Sequence, residues 1–167
     1  MPADTIASKE LESAIASFRA GSSFATGSDV VQLSNWRDED WKQLFRFTSI
    51  RSVNAGDALI RAGEPDQTLH FVLDGEVEII VHSGDGLSMG RAALVGAGSV
   101  LGELAFFDGG PRSAGAWAVR NCEIAAMTPD QYTAFEKSAP VLARGLLFAL
   151  GRILAIRLRR TNRRTVR

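Results

Sequence analysis

The 167-residue sequence predicts a mainly β protein in which about eight short strands form a two-sheet roll, with helices before and after it. Two observations carry that expectation. From Thr48 to Met127, apolar residues recur with a period of two in short runs broken by glycine turns, the signature of half-buried strands. Outside that stretch the spacing changes to three and four, which is the period of helices packed by one face. Apolar residues make up 46% of the chain, enough for a real core, and no window approaches the ~18 uncharged apolar residues of a membrane span.

In chain order, Leu11, Ile15 and Phe18 repeat at helical spacing, with Glu10 and Glu12 near the start, and predict a short helix from Ser8 to about Ala20. Gly21 to Asp29 is rich in Gly, Ser and Thr and reads as a linker, so that helix is expected to dock loosely or on a partner. Residues 1–29 are therefore taken as helix plus flexible linker, and residues 30–167 as the folded domain with its C-terminal helix. Asp38, Glu39 and Asp40 suit the start of a second helix running to Phe47. Trp36 and Trp41 stand at the spacing of a hydrophobic staple.

Strands follow as SIRSV, ALIRAG, LHFVL, EVEIIV and RAALVG, and later AGAWAV and CEIAAM. Asp74-Gly75 between two of these runs predicts a tight hairpin, because type I′ turns need positive φ at both central residues. Asn54 to Asp57 and Gly84-Asp85-Gly86 mark further turns. Thr128-Pro129-Asp130-Gln131 is a capping box with proline at the first helical position, so a helix runs from there to about Lys137. Pro140 begins the last one. Leu142, Leu146, Ala149, Leu150, Ile153, Leu154 and Leu158 trace an apolar stripe along it, to be buried on the roll or on a second copy, and the heptad-like spacing favours a homodimer.

The chemistry concentrates in Gly102 to Ala114, which reads GELAFFDGGPRSA. Gly102 opens a brief turn of helix whose first N–H groups lack internal partners and suit an anion. Arg112 adds a forked cation and Ser113 a hydroxyl donor. Glu103, which only accepts when ionised, suits hydroxyl groups. Read by themselves, these residues fit a nucleotide-sized ligand or a plain Glu103–Arg112 ion pair across the turn.

This stretch closely resembles the phosphate-binding cassette of the cyclic nucleotide-binding domain family: Gly-Glu-Leu-Ala, a variable turn, then Pro-Arg-Ser/Ala-Ala. Ala55-Gly56-Asp57, Gly63-Glu64-Pro65 and Leu73-Asp74-Gly75-Glu76-Val77 match other patterns of that family in order and spacing. The resemblance covers about Trp36 to Asn162 and implies the family's jelly roll with the cassette between later strands. It further implies that Glu103 binds a ribose 2′-hydroxyl and Arg112 a cyclic phosphate, with Ser113 and the backbone of Gly102, Leu104, Ala105 and Ala114 completing the seat. Relatives resembling the bacterial catabolite activator protein carry Arg-Leu-x-x-Thr-Ser late in the final helix. Here Arg157-Leu158-Arg159-Arg160-Thr161-Asn162 stands there, which implies ligand contacts for Arg157, Thr161 and Asn162, with Asn in place of Ser at the base.

The expected function is a non-enzymatic cyclic nucleotide sensor, with cyclic AMP first, that signals to a protein effector through its last helix and needs no cofactor. Cyclic GMP and cyclic di-GMP are variants. A ligandless assembly module of the same fold is the alternative, opposed by the cost of leaving Glu103 and Arg112 buried and unpaired. From Lys137 onward every charge is basic, yet no second periodic domain follows in these residues, so sequence-specific DNA reading is not expected. With no signal-like N-terminus, a cytoplasmic location is expected. Cys122 reads as buried filler, Trp117 as core, and His70 and His82 as surface or partly satisfied histidines without metal spacing.

Overall fold

Two four-stranded antiparallel sheets face each other in the computed structural model, which describes residues 8–24, 31, 33, 35–82 and 89–165. The strands are β1 (Ser49–Val53), β2 (Ala58–Ile60), β3 (Leu69–Asp74), β4 (Glu76–His82), β5 (Met89–Gly96), β6 (Val100–Leu101), β7 (Gly115–Ala118) and β8 (Cys122–Met127). One sheet runs in the order β1-β8-β3-β6 and the other β2-β7-β4-β5, the jelly-roll arrangement expected from the sequence. Around them lie α1 (Ser8–Phe24), α2 (Asp38–Phe45), α3 (Glu103–Asp108), α4 (Pro129–Ser138) and α5 (Pro140–Thr165).

Asp74-Gly75 is not a hairpin. Strands β3 and β4 lie in different sheets, and Gly75, with φ of 101°, turns the chain through the corner between them. No non-glycine residue has positive φ among the described residues, so Asp74 cannot supply the second left-handed position of a type I′ turn. A Cβ on Gly75 would fall 2.4 Å from the Cys122 sulfur, which makes glycine obligatory here. The tight antiparallel pair is instead β4–β5, from Glu76 opposite Gly96 to His82 opposite Met89. Its connecting turn, expected at Gly84-Asp85-Gly86, and the side chain of His82 lie outside the described residues.

Strand β3 is buried on both faces because two cores meet across it. Val72 points into the roll with Val53, Leu59, Val77, Val95 and Ile124. Leu69, Phe71 and Leu73 point the other way, into a helical layer that includes Phe18, Trp41, Phe45, Phe135 and Leu146. His70 shares the inward side with Val72 and is buried, so of the two expectations, a surface or a partly satisfied histidine, the surface one fails.

Helix α1 does not dock loosely. Leu11, Ala14, Ile15 and Phe18 are buried, and the Phe18 ring lies 5.3 Å from Trp41 and 6.0 Å from Phe71 between centroids. Burying each such large apolar side chain contributes roughly 1.5–3 kcal/mol, more than a glycine-rich connection opposes. The helix also continues through Gly21 to Phe24, where a Cβ on Gly21 would fall 2.2 Å from the Ala97 carbonyl oxygen, so glycine permits the close approach. The remainder of the expected linker, from Ala25 to Asp29, lies outside the described residues. Trp36 and Trp41 form the staple at 4.9 Å, and Arg37 caps α2 by donating its N–H to Asp40 at 2.8 Å.

Helix α4 begins as expected, with Thr128 and Gln131 bonded reciprocally. The stripe on α5 packs inward: Ala143, Leu146, Ala149, Leu150 and Ile153 are buried against the roll's helical layer, so this stripe is not a dimer face. Leu158, at the stripe's far end, is 61% exposed because α5 has by then run past the core.

Candidate ligand-binding site

The cassette is held by the two-residue strand β6, which pairs Leu101 with His70 and Val100 with Phe71 and so aims the next residues across the roll. Gly102 follows as the cap of α3 with φ of 86°, and a Cβ there would lie 2.3 Å from Arg112 Nη1 and 2.7 Å from the Thr68 carbonyl oxygen. Glycine is thus required twice, by its backbone conformation and by the guanidinium packed on it. Gly109, also with positive φ, ends the helix by donating its N–H to the Ala105 carbonyl.

Arg112 enters from the other side of the cassette. Its N–H donates to the Glu64 carbonyl at 2.9 Å, and its carbonyl accepts from Gly63 N–H at 2.8 Å. Its guanidinium is buried, donating from Nη2 to the Asp66 carboxylate and the Thr68 carbonyl (2.7 Å) and from Nη1 to the Gly102 carbonyl (3.3 Å). Asp66 in turn accepts from the Thr68 hydroxyl (2.7 Å) and amide (3.1 Å). Desolvation opposes ionisation of Asp66, but the bonds from Arg112 and Thr68 outweigh it and bring its carboxyl down to about 2. His70 Nε2 stands 3.5 Å from Arg112 Nη2, and burial, reinforced by Arg112 and Arg51, pushes its imidazole down to about 4. Neutral His70 therefore adds no second positive charge beside Arg112. Its Nδ1 and Arg112 Nε are buried without partners among the described residues.

Glu103 and Arg112 do not pair with each other. Glu103 is buried at the first position of α3 and pairs with Arg157 of α5, whose other amino group donates to the Val100 carbonyl at 3.1 Å. Both buried charges are thus compensated from within the chain, and the cost of leaving them unpaired does not arise.

Glu103, Arg112 and Arg157 line one cavity of about 350 Å³, with Asp66 and His70 behind Arg112. Gly102, Glu103, Leu104, Ala105, Arg112, Ser113, Ala114, Arg157 and Thr161 all line it; Asn162 is exposed and does not. An apolar wall comes from Ile79 and Val81 of β4 and Ala93 of β5, and Arg160 of α5 stands at the rim. Trp117 does not line the cavity; its ring covers Gly115. No group of three or more His, Cys, Asp or Glu suited to a metal occurs among the described residues, and no helix there is long and apolar enough to cross a membrane. Sequence reasoning missed Asp66, His70, Arg160 and the apolar wall. Alternation along β4 could have found the wall, whereas Asp66 meets Arg112 only through a contact 46 residues apart.

Chemically, the cavity offers arginine donors, of which Arg112 is buried, a buried carboxylate acceptor and an apolar stretch of wall, which suits an anion joined to a hydroxylated ring and a flat apolar group. The family model for the cyclic nucleotide-binding domain matches residues 50–138. The CRP-like cAMP-activated global transcriptional regulator of Mycobacterium tuberculosis is 32% identical over 107 residues, covering 64% of this chain and 46% of that protein. The cAMP-activated global transcriptional regulator CRP of Haemophilus influenzae is 35% identical over 110 residues, covering 65% and 47%. The chain thus spans about half the length of these regulators. A cyclic nucleotide-binding domain from Methylobacillus flagellatus shares the fold over 93% of this chain and 84% of its own, with a TM-score of 0.78 and 22% identity. The Thermus thermophilus catabolite activator protein superposes with a TM-score of 0.69 and 27% identity, covering 79% of this chain and 60% of its own. The family match runs from β1 through α4, the stretch that builds both sheets and carries Glu103 and Arg112, and this chain belongs to the cyclic nucleotide-binding domain family.

Proposed function

We propose that the chain is a non-enzymatic regulatory module that binds a cyclic nucleotide, with cyclic AMP the first candidate, and signals through α5. One observation carries this reading: nine of the ten residues singled out from the sequence line a single cavity, with Glu103 and Arg112 both buried in its wall. In this reading Arg112 and Ser113 take the phosphate, together with the backbone of the cassette, and Glu103 takes the ribose hydroxyl. Arg157 is the link to α5, since it grips the same carboxylate. Cyclic AMP comes first because the similar regulators from Mycobacterium tuberculosis and Haemophilus influenzae are described as cAMP-activated. Calorimetry of ligand-stripped protein against cyclic AMP, cyclic GMP and cyclic di-GMP should give at least one affinity in the micromolar range or tighter. No heat with any of them sinks the sensor reading.

The second reading, a ligandless assembly module, draws on the internal pairing of Arg112 with Asp66 and of Glu103 with Arg157, which leaves the site's buried charges compensated without ligand. Under either reading the candidate surface for a second copy is the face of α5 turned away from its buried stripe, where Val141 and Phe148 are 68% and 81% exposed and the exposed Ala155 follows at the same seven-residue spacing.

A further inference from the structure

We propose that Arg160 is a specificity-determining residue that reads the base: its guanidinium donates to the acceptor edge of a purine and favours guanine over adenine at this position. The inference rests on the cyclic nucleotide reading above but not on its ranking of cyclic AMP first, which comes from similarity to the regulators alone; it names the group that meets the base and shifts the preference there toward cyclic GMP.

Position along α5 comes first. Arg157 is held on Glu103 and on the Val100 carbonyl, which fixes that turn of α5 over the seat assigned to the ribose. Arg160 and Thr161 lie three and four residues further on and therefore on the same helix face, one turn of about 5.4 Å beyond Arg157. Both line the cavity. With the phosphate at Arg112 and the sugar at Glu103, the part of the ligand that reaches this next turn is the base.

Chemistry narrows the choice. The apolar part of the lining, Ile79, Val81 and Ala93, offers a flat base a surface and no side-chain hydrogen bond. The Thr161 hydroxyl already donates to the Arg157 carbonyl at 3.2 Å. Of the three arginines lining the cavity, Arg112 is paired with Asp66 and Arg157 with Glu103, while Arg160 meets no carboxylate among the described residues. Its donors can therefore turn to a ligand without breaking a bond inside the protein. A forked guanidinium matches two adjacent acceptors. On the purine edge that carries N7, guanine presents O6 as a second acceptor and adenine an amino group that donates; cytosine lacks this edge and carries its acceptors, O2 and N3, closer to the sugar.

Calorimetry on the full chain with cyclic AMP, cyclic GMP and cyclic CMP, for the parent protein, Arg160→Ala and Arg160→Lys, tests this. Arg160→Ala should weaken cyclic GMP about tenfold or more and weaken cyclic AMP and cyclic CMP less, so that the guanine-to-adenine affinity ratio falls. Arg160→Lys keeps the charge but not the fork and should lower the same ratio. Because Arg160 is exposed, the thermal midpoint without ligand should not move. Equal losses for all three nucleotides would mean that Arg160 acts on the phosphate, and unchanged affinities would mean that it touches nothing; either overturns the proposal. A parent protein that binds none of the three overturns the cyclic nucleotide reading itself, and the role of Arg160 falls with it.

Discussion

Arg157 of α5 is ion-paired with Glu103 of α3, so the terminal helix holds the very carboxylate assigned to the ligand's sugar. A carboxylate has about four acceptor positions, and Glu103 can keep Arg157 while accepting a ribose hydroxyl. On the proposed reading, this one group would link occupancy of the cavity to the position of α5, since a ligand shifts only what it contacts differently in two states.

The two cassette charges should separate in binding. Under the proposed roles, Arg112→Ala removes the cation that compensates the phosphate and leaves Asp66 without its ion-pair partner, whereas Glu103→Ala removes one sugar contact together with a negative charge near the phosphate. Hydrogen bonds to charged groups contribute roughly 1.5–3 kcal/mol, so Arg112→Ala should weaken cyclic nucleotide binding at least about tenfold and Glu103→Ala by less. Titration of both variants checks the order, and parent-like affinity in both would place the ligand elsewhere.

Gly102→Ala should damage the site more than its single methyl suggests. Positive φ alone costs an alanine about 1–2 kcal/mol, and the added Cβ would lie 2.3 Å from Arg112 Nη1. The expected outcome is a lower thermal midpoint together with lost binding. Gly56→Ala is the control, because it has the same sign of φ with nothing within 4 Å of its Cβ, and it should show the backbone cost with binding retained.

His70 and Asp66 predict two distinct windows in stability against pH. The folded value of His70, about 4, lies below the ordinary 6.5, so the unfolded chain binds the proton first and stability should fall as pH drops from about 6.5 to about 4. Asp66 is depressed to about 2 from 3.8, so its contribution is full above about pH 4 and is lost as pH falls through 2. Asp66 is partly exposed, which keeps its share small. Thermal midpoints of His70→Gln should lack the upper slope and those of Asp66→Asn the lower one; a parent-like profile in His70→Gln would show that the imidazole is not held neutral.

The strands, the cassette and the α4 cap were legible because each depends on neighbours in sequence: alternation, glycine at a required φ, and a capping box. Asp74-Gly75 misled because a hairpin and a corner between sheets look alike locally; which one forms depends on whether β3 finds β8 and β6, which lie far along the chain. The partners of Arg112 and Glu103 were hidden for the same reason, at separations of 46 and 54 residues. The docking of α1 was misjudged by weighing the glycine-rich stretch over the buried face of Leu11, Ile15 and Phe18.

Phe148 offers the cleanest test of self-association. It is 81% exposed and absent from both cores, so Phe148→Glu should leave the thermal midpoint within about 0.5 kcal/mol of stability while placing a charge on the proposed seam. Sedimentation should show a dimer for the parent protein and a shift to monomer for the variant. An unchanged distribution would move the contact to another surface.

Hydrogen exchange can follow the signal along α5. Its buried stripe ends at Ile153, and beyond that point the ion pair of Arg157 with Glu103 and its bond to the Val100 carbonyl hold the helix to the roll. So little apolar packing leaves this segment near the low-stability end of the fold. Cyclic nucleotide that shares Glu103 with Arg157 and meets Thr161 should slow exchange across residues 152–162, and Arg157→Ala should speed it without ligand and weaken binding. Truncation before Arg157 should weaken affinity as well, and truncation after Arg163 should not. Faster exchange on adding ligand would mean that the ribose displaces Arg157, so that binding releases α5. Exchange unchanged by a ligand that protects Gly102 to Ala114 would make α5 a fixed element and send the signal out by another route, of which α2, packed in the same helical layer as the end of β3, is the next to examine.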